Sequence, residues 1–266
     1  MEFPQIDPIA IDIGFFQIRW YALAYLGGFL GGWFWADRLV RRYPEGTRPN
    51  RDDIENLVTW VVLGVIFGGR IGYVLFYNFE YYSQHLNQVL HIWQGGMSFH
   101  GGLMGVILAI LSYCLLQKVS LLRTGDVVAS VVPIGLGLGR LSNFINGELF
   151  GRPTDLPWGM VFPGGGAEPR HPSQLYQAVL EGLVLFIILN LMMRKERFRN
   201  RPGFVTGSFF VFYGLARFSV EFVRQPDAQI GLILDFMSMG QILSLPMIVF
   251  GLGLMIYVAR HDRKTA

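Results

Sequence analysis

Seven stretches of about twenty mostly apolar residues punctuate the chain: Ile18 to Asp37, Leu57 to Tyr77, Met97 to Gln117, Val127 to Asn143, Ser173 to Met193, Phe204 to Val223 and Ser238 to Ala259. A hydrocarbon layer about 30 Å thick is crossed by roughly 20 helical residues, so each stretch predicts a membrane-spanning helix. Pro133 and a run of glycines interrupt the fourth. Tyr43 to Arg51 and Arg194 to Pro202 read as connecting loops, and no linker separates two parts of the chain. The pattern predicts an all-α polytopic membrane protein with seven transmembrane helices in a single domain over residues 1–266, with an extramembrane segment at about 144–172.

Basic residues orient these spans, because the connections that stay in the cytoplasm are enriched in Lys and Arg. Arg38, Arg41, Arg42, Arg48, Arg51, Lys118, Arg123, the five basic residues from Arg194 to Arg201, Arg260, Arg263 and Lys264 all fall on one side. Only Arg140, Arg152, Arg170 and Arg224 fall on the other, and Arg19, Arg70 and Arg217 lie within spans. The asymmetry places the N-terminus outside and the C-terminus in the cytoplasm. Met1 to Gln17 holds Glu2, Asp7 and Asp12 and no basic residue, which does not read as a cleavable signal sequence.

Composition sharpens the class. Of 266 residues 52% are apolar and only 15% charged, against about 25% charged in a typical soluble domain. The net charge of +3 does not indicate a nucleic-acid partner, because the basic residues sit in short runs between apolar stretches. One cysteine, Cys114, excludes a disulfide framework and a four-cysteine metal site, and reads as core. No dense His/Glu spacing suggests a metal, so neither metal nor cofactor is expected.

Chain direction brings the polar residues together. Spans two, four and six run outward and carry Arg70, Arg140 and Arg217 in their later halves, each just after small residues. Spans one, three and five run inward, and Arg19, Tyr21, His100, Arg170, His171, Gln174 and Tyr176 lie at or near their starts. Asn143, Asn146 and Glu148 end the fourth span, and Glu221 follows Arg217 by one turn. These groups converge on the outer leaflet. An Arg at mid-bilayer costs about 2.5–3.5 kcal/mol, so each needs a partner or a wet cavity. Several guanidiniums at headgroup level suit a lipid phosphate, which Arg grips bidentately, and His100 suits proton transfer near neutral pH.

Structural readings stand beside these. On these readings Arg70 is a structural ion pair with Glu80 or another acid, Arg19 and Arg224 snorkel to the interface, and Arg217 with Glu221 is an ordinary helix pair. His100 alone would more often be a packing residue, and Asp126 reads as a helix-start residue. Tyr77, Tyr81, Tyr82 and Trp93 form an interfacial belt.

The run Gly139-Arg140-Leu141-Ser142-Asn143-Phe144-Ile145-Asn146-Gly147-Glu148-Leu149-Phe150-Gly151 resembles the defining motif of the bacterial phosphatidylglycerol:prolipoprotein diacylglyceryl transferases. Trp20-Tyr21, Gly68 to Tyr73, Gly95 to Gly102, Arg170 to Tyr176, Tyr213 to Glu221 and Arg224 to Asp227 also resemble the family, in family order. The resemblance implies transfer of the sn-1,2-diacylglyceryl group of phosphatidylglycerol to the lipobox cysteine of prolipoprotein signal peptides, releasing glycerol 1-phosphate. It implies a multi-pass protein of the bacterial inner membrane with a periplasmic N-terminus and an active site toward the periplasmic leaflet. By the same carry-over His100, Arg140, Arg217, Glu148, Glu221 and Tyr21 are expected to be catalytic. Arg140, Asn143, Asn146, Gly151, Tyr213, Arg70 and Arg224 are expected to bind phosphatidylglycerol. Glu148 and Glu221 are expected to orient the guanidiniums, and Asn143 and Asn146 to bond the headgroup. A lipid transporter would instead show an internal repeat and helices broken at the midplane, and a structural membrane subunit would need no polar cluster.

Overall fold

All seven predicted stretches fall on helices in the computed structural model, which describes residues 1–14, 17–226, 232–233 and 237–265. A short hairpin of β1 (Ile9–Asp12) and β2 (Gln17–Arg19) leads into α1 (Trp20–Val40). There follow α2 (Arg51–Phe76), the short α3 (Phe79–Gln84), α4 (Phe99–Leu116), α5 (Leu121–Ile145), α6 (Ser173–Arg194), α7 (Phe204–Val220) and α8 (Met239–Thr265). Five of them, α2, α4, α5, α6 and α8, are long and apolar enough to cross a membrane, and α7 is a shorter apolar helix of 17 residues.

Some boundaries move for local reasons. The second helix starts at Arg51 rather than Leu57, because Asn50 and Asp53 form a reciprocal capping box that satisfies the first free N–H groups. The fifth runs unbroken through Pro133, and its glycines serve as contact points. A Cβ on Gly28 of α1 would lie 3.0 Å from Gly135 Cα, and one on Gly182 of α6 would lie 2.7 Å from Gly137 Cα. Small residues thus bring helix backbones together where lipid offers no hydrophobic drive for helix association.

The chain divides into two compact units, residues 37–124 and residues 1–36 with 125–266. In the first, α2 and α4 pack antiparallel through Gly64, Gly68 and Gly72 against Gly101 and Gly105. Asp53, only 2% exposed, accepts from Arg48, from the Tyr113 hydroxyl at 2.8 Å and from the Asn50 amide at 2.9 Å. Arg48 also donates to Gln117 O at 2.8 Å, which fixes the loop before α2 to the end of α4. Cys114 is buried nearby as a free thiol.

In the second unit α7 and α8 close on each other at Gly207 and Gly251, and at Gly214 and Ile248. Asp126 is buried, yet it does not cap its own helix, which begins five residues earlier. Its carboxylate accepts from Gly203 N at 2.8 Å and from Thr206 N and Oγ1 at 2.7 Å each, so it caps α7 from across the bundle. Asp126→Ala is therefore expected to strand two buried N–H groups and a hydroxyl at a cost of about 1–3 kcal/mol. A lowered thermal midpoint of the purified protein in detergent, restored in part by Asn, is the expected measurement.

Between α5 and α6 the backbone makes short bridges instead of helix. Gly151 pairs with Arg224, and both Pro153 and Met160 pair with Arg170. Phe162, fully buried, gathers Phe3 and Phe150 with ring centroids 5.1 and 5.4 Å away, and the N-terminal ammonium donates to Gly159 O at 2.6 Å. This segment brings the ends of α5, α6 and α7 to one place.

Candidate active site

The end of α5 supplies Arg140 and Asn143, and the chain then turns sharply. Gly147 has φ of +66°, a region glycine enters freely, and Leu149 follows with φ of +57°, which is uncommon for a side chain with a Cβ. Ser173 Oγ donates to Leu149 O at 2.9 Å and Gln174 Nε2 to Glu148 O at 2.5 Å, so the start of α6 holds the turn in place. The turn aims Glu148 back at α1. Its Oε1 accepts from the Tyr21 hydroxyl and from Asn143 Nδ2, both at 2.9 Å, and Asn143 also bonds Tyr21. Asn146 is half-buried one residue before the tight Gly147, its amide donating to Ser142 O at 3.0 Å.

Gly151 contributes by what it lacks. A Cβ there would lie 2.5 Å from Val223 O and 2.8 Å from His171 O. Its own N–H donates to His171 O at 2.8 Å, and Arg152 N donates to Val223 O at 2.8 Å, so three chain segments meet on a glycine. That contact positions the stretch carrying Arg224.

The last two turns of α7 and the residues after it supply Tyr213, Arg217, Glu221 and Arg224. Together with Arg140 and Glu181 of α6 they form an alternating ion chain. Arg140 Nε lies 3.5 Å from Glu181 Oε2, and Arg217 Nη1 lies 3.9 Å from Glu181 Oε1. Arg217 Nη2 reaches Glu221 Oε1 at 2.7 Å, and Arg224 Nη1 reaches the same oxygen at 3.1 Å. Ser238 Oγ donates to Glu221 Oε2 at 2.6 Å. Both carboxylates are buried, while the Arg140 and Arg217 side chains keep 19% and 16% of their surface. Three guanidiniums against two carboxylates leave an excess of positive charge on the two arginines that remain reachable, a geometry that suits a phosphodiester.

Arg224 does not snorkel, contrary to one expectation from its position. It is 8% exposed because Glu221 holds it. Arg19 is exposed in β2. Arg170 donates to Gly165 O at 2.6 Å and to Gly151 O and Gln225 Oε1 at 3.3 Å, ordering the loop instead of joining the cluster. Beside it, His171 Nδ1 lies 3.3 Å from the Tyr176 hydroxyl, which accepts from Trp158 Nε1 at 2.7 Å. Burial holds the His171 imidazole below its usual pKa.

The other unit carries Arg70 and His100. Arg70, 4% exposed, meets no acid among the described residues and instead donates to the backbone carbonyls of Gln88, Val89, Gly95 and Gly96 at 2.6–3.2 Å. Its guanidinium also lies over the Tyr82 ring, 5.1 Å from the centroid, so Tyr82 is buried beneath a charge while Tyr77, Tyr81 and Trp93 stay exposed. Its occupation is to organise the loop between α2 and α4. His100 is exposed on the first turn of α4, which Ser98 caps by accepting from Gly101 N at 3.1 Å.

The profile of the family described as prolipoprotein diacylglyceryl transferase matches residues 8–257. The chain belongs to this family. Among its relatives in the prolipoprotein diacylglyceryl transferase family, the phosphatidylglycerol--prolipoprotein diacylglyceryl transferase of Rhodospirillum rubrum is 52% identical over all of this chain and 97% of the relative. Proteins of the same name from Geobacter sulfurreducens (51% identical, 98% of both chains) and Pseudoalteromonas translucida (52% identical, all of this chain and 98% of the relative) are similarly close.

As a prolipoprotein diacylglyceryl transferase family member, the chain holds one central residue that the sequence reading passed over. Glu181, fully buried, is the carboxylate between Arg140 and Arg217, while Glu148, expected with Glu221 to orient the guanidiniums, bonds Tyr21 and Asn143. Its signal was present: an acid in the middle of the apolar run Ser173 to Met193, where an ionisable group marks a polar partner.

Proposed function

We propose that this chain transfers the sn-1,2-diacylglyceryl group of phosphatidylglycerol to the lipobox cysteine thiol of prolipoproteins. The thiol sulfur attacks the glycerol C3 carbon, the C3–O bond to phosphate breaks with its electron pair leaving on the phosphate, and a thioether and glycerol 1-phosphate result. The cysteine belongs to the substrate, so the enzyme needs none of its own. The observation that carries the reading is the Arg140–Glu181–Arg217–Glu221–Arg224 chain, which offers partly exposed guanidiniums to an anionic headgroup. The names of the full-length relatives support the substrates.

Each residue then has a task. Arg140 binds the phosphate, Arg217 stabilises the second negative charge that the leaving phosphate gains, and Arg224 reaches that charge through Glu221. Tyr21, Asn143 and Glu148 form one wall, with Asn143 and Asn146 facing the headgroup and Tyr213 steadying Arg140. Gly151 acts by close packing and Arg70 by holding its loop. By the family resemblance His100 takes the thiol proton, because a free thiol of pKa about 8.5 is only a few per cent thiolate at neutral pH. The seven helices cross a bacterial inner membrane as a single catalytic domain, with the N-terminus periplasmic, the C-terminus cytoplasmic and the site toward the periplasmic leaflet, as the basic residues direct.

A mass-shift assay tests the reading. Purified protein with phosphatidylglycerol and a synthetic lipobox peptide is expected to add one diacylglyceryl increment and to release glycerol phosphate, while a Cys→Ser peptide stays unmodified. Folded protein that binds the lipid yet gives no increment on the Cys peptide would overturn it.

A further inference from the structure

One face of α6 carries three polar side chains that are completely buried: Gln174, Gln177 and Glu181. Spacings of three and four residues place them in a row along the helix. The outer two have assigned neighbours. Gln174 bonds Glu148 O, directly behind the Tyr21–Asn143–Glu148 group, and Glu181 lies between Arg140 and Arg217. Gln177 lies about one turn from each, and neither its Nε2 nor its Oε1 has a hydrogen-bond partner among the described residues. Immediately beyond it the helix widens into π-turns over Ala178–Val184, a form that recurs at functional sites. A buried amide with both ends unpaired is unfavourable unless something else supplies a donor and an acceptor.

We propose that Gln177 binds the distal glycerol of the lipid headgroup, making it a specificity-determining residue of the site. The inference rests on the transferase reading above. The phosphate is an anion and belongs with the guanidiniums, whereas the glycerol end is a neutral diol in which each hydroxyl both donates and accepts. An amide matches that chemistry on both sides: Oε1 accepts from one hydroxyl and Nε2 donates to the other. A site built to pair a hydroxyl rejects an analogue that lacks it, because its own buried polar atoms are then left unpaired. Gln177 thereby selects phosphatidylglycerol over phosphodiester lipids of equal charge but no diol.

The test compares two donor lipids with identical acyl chains, phosphatidylglycerol and phosphatidylethanol, in transfer to a lipobox peptide by the full-length protein. Wild type is expected to prefer phosphatidylglycerol. Gln177→Leu is expected to lose roughly 10- to 100-fold in kcat/KM on phosphatidylglycerol and to change little on phosphatidylethanol, so that the preference collapses. Should the Leu variant fail to fold, Gln177→Asn, which keeps the amide but shortens its reach, gives the same comparison. Equal loss on both lipids would mark Gln177 as structural. Unchanged preference in the variants, or no preference in wild type, would overturn the proposal while leaving the transferase reading intact. No transfer by wild type from phosphatidylglycerol would instead remove the reading on which the proposal rests.

Discussion

Arg217→Ala is expected to lower turnover by roughly 10²- to 10³-fold, the loss typical of removing one donor aimed at developing transition-state charge. The structure separates this effect from misfolding. With Arg217 gone, Glu221 still holds Arg224 at 3.1 Å and Ser238 at 2.6 Å, and Glu181 still faces Arg140 at 3.5 Å, so neither buried carboxylate is left without a cationic neighbour. The loss should therefore fall on kcat more than on KM, with little change in thermal midpoint. Arg217→Lys keeps the charge but not the planar fork that spans Glu181 and Glu221, and is expected to recover only part of the rate. Steady-state kinetics with phosphatidylglycerol and a lipobox peptide decide the matter: turnover near wild type in the Ala variant would refute the phosphate-clamp argument.

Glu221→Ala is expected to damage the fold itself. Glu221 is 2% exposed and receives Arg217, Arg224 and Ser238 on its two oxygens. The first turn of α8 is shaped around it, since a Cβ on Gly240 would lie 2.5 Å from Glu221 Cδ. Removing one partner from a buried ion pair typically costs about 3–5 kcal/mol, because the other charge stays buried without compensation. Here two guanidiniums lose the same carboxylate. Thermal denaturation followed by loss of monodisperse protein on size exclusion is expected to shift sharply downward. Glu221→Gln keeps the shape and an acceptor for Ser238, and should fall between. A midpoint equal to wild type in Glu221→Ala would show that the ion chain does not hold α7 to the start of α8.

How much of this is legible in the sequence depends on the range of the interaction concerned. Helix positions could be read because a twenty-residue apolar run is a local signal, although that run starts the second helix at Leu57 and the Asn50 and Asp53 cap carries it back to Arg51. The pair Arg217 and Glu221 was legible for the same reason, being one turn apart on a single helix. Arg70 could not be assigned, since its partners are carbonyl groups, which carry no residue identity in a sequence. Asp126 was read as a local cap, but the N–H groups it serves belong to a helix some eighty residues further on.

By itself the sequence determined that the chain is built of apolar helices, which of their ends carry charge, and which family motifs it holds. Apolar run length, helical period and residue identity are local properties. The tertiary structure decided the pairing: that Glu181 stands between Arg140 and Arg217, that Arg224 is buried, and that Gln177 lies between the two polar groups without a hydrogen-bond partner among the described residues. Those outcomes depend on how far each helix is rotated about its axis and how closely it approaches the next. Contacts such as Gly28 with Gly135 and Gly137 with Gly182 set both to a fraction of an ångström, and no single stretch of sequence contains them.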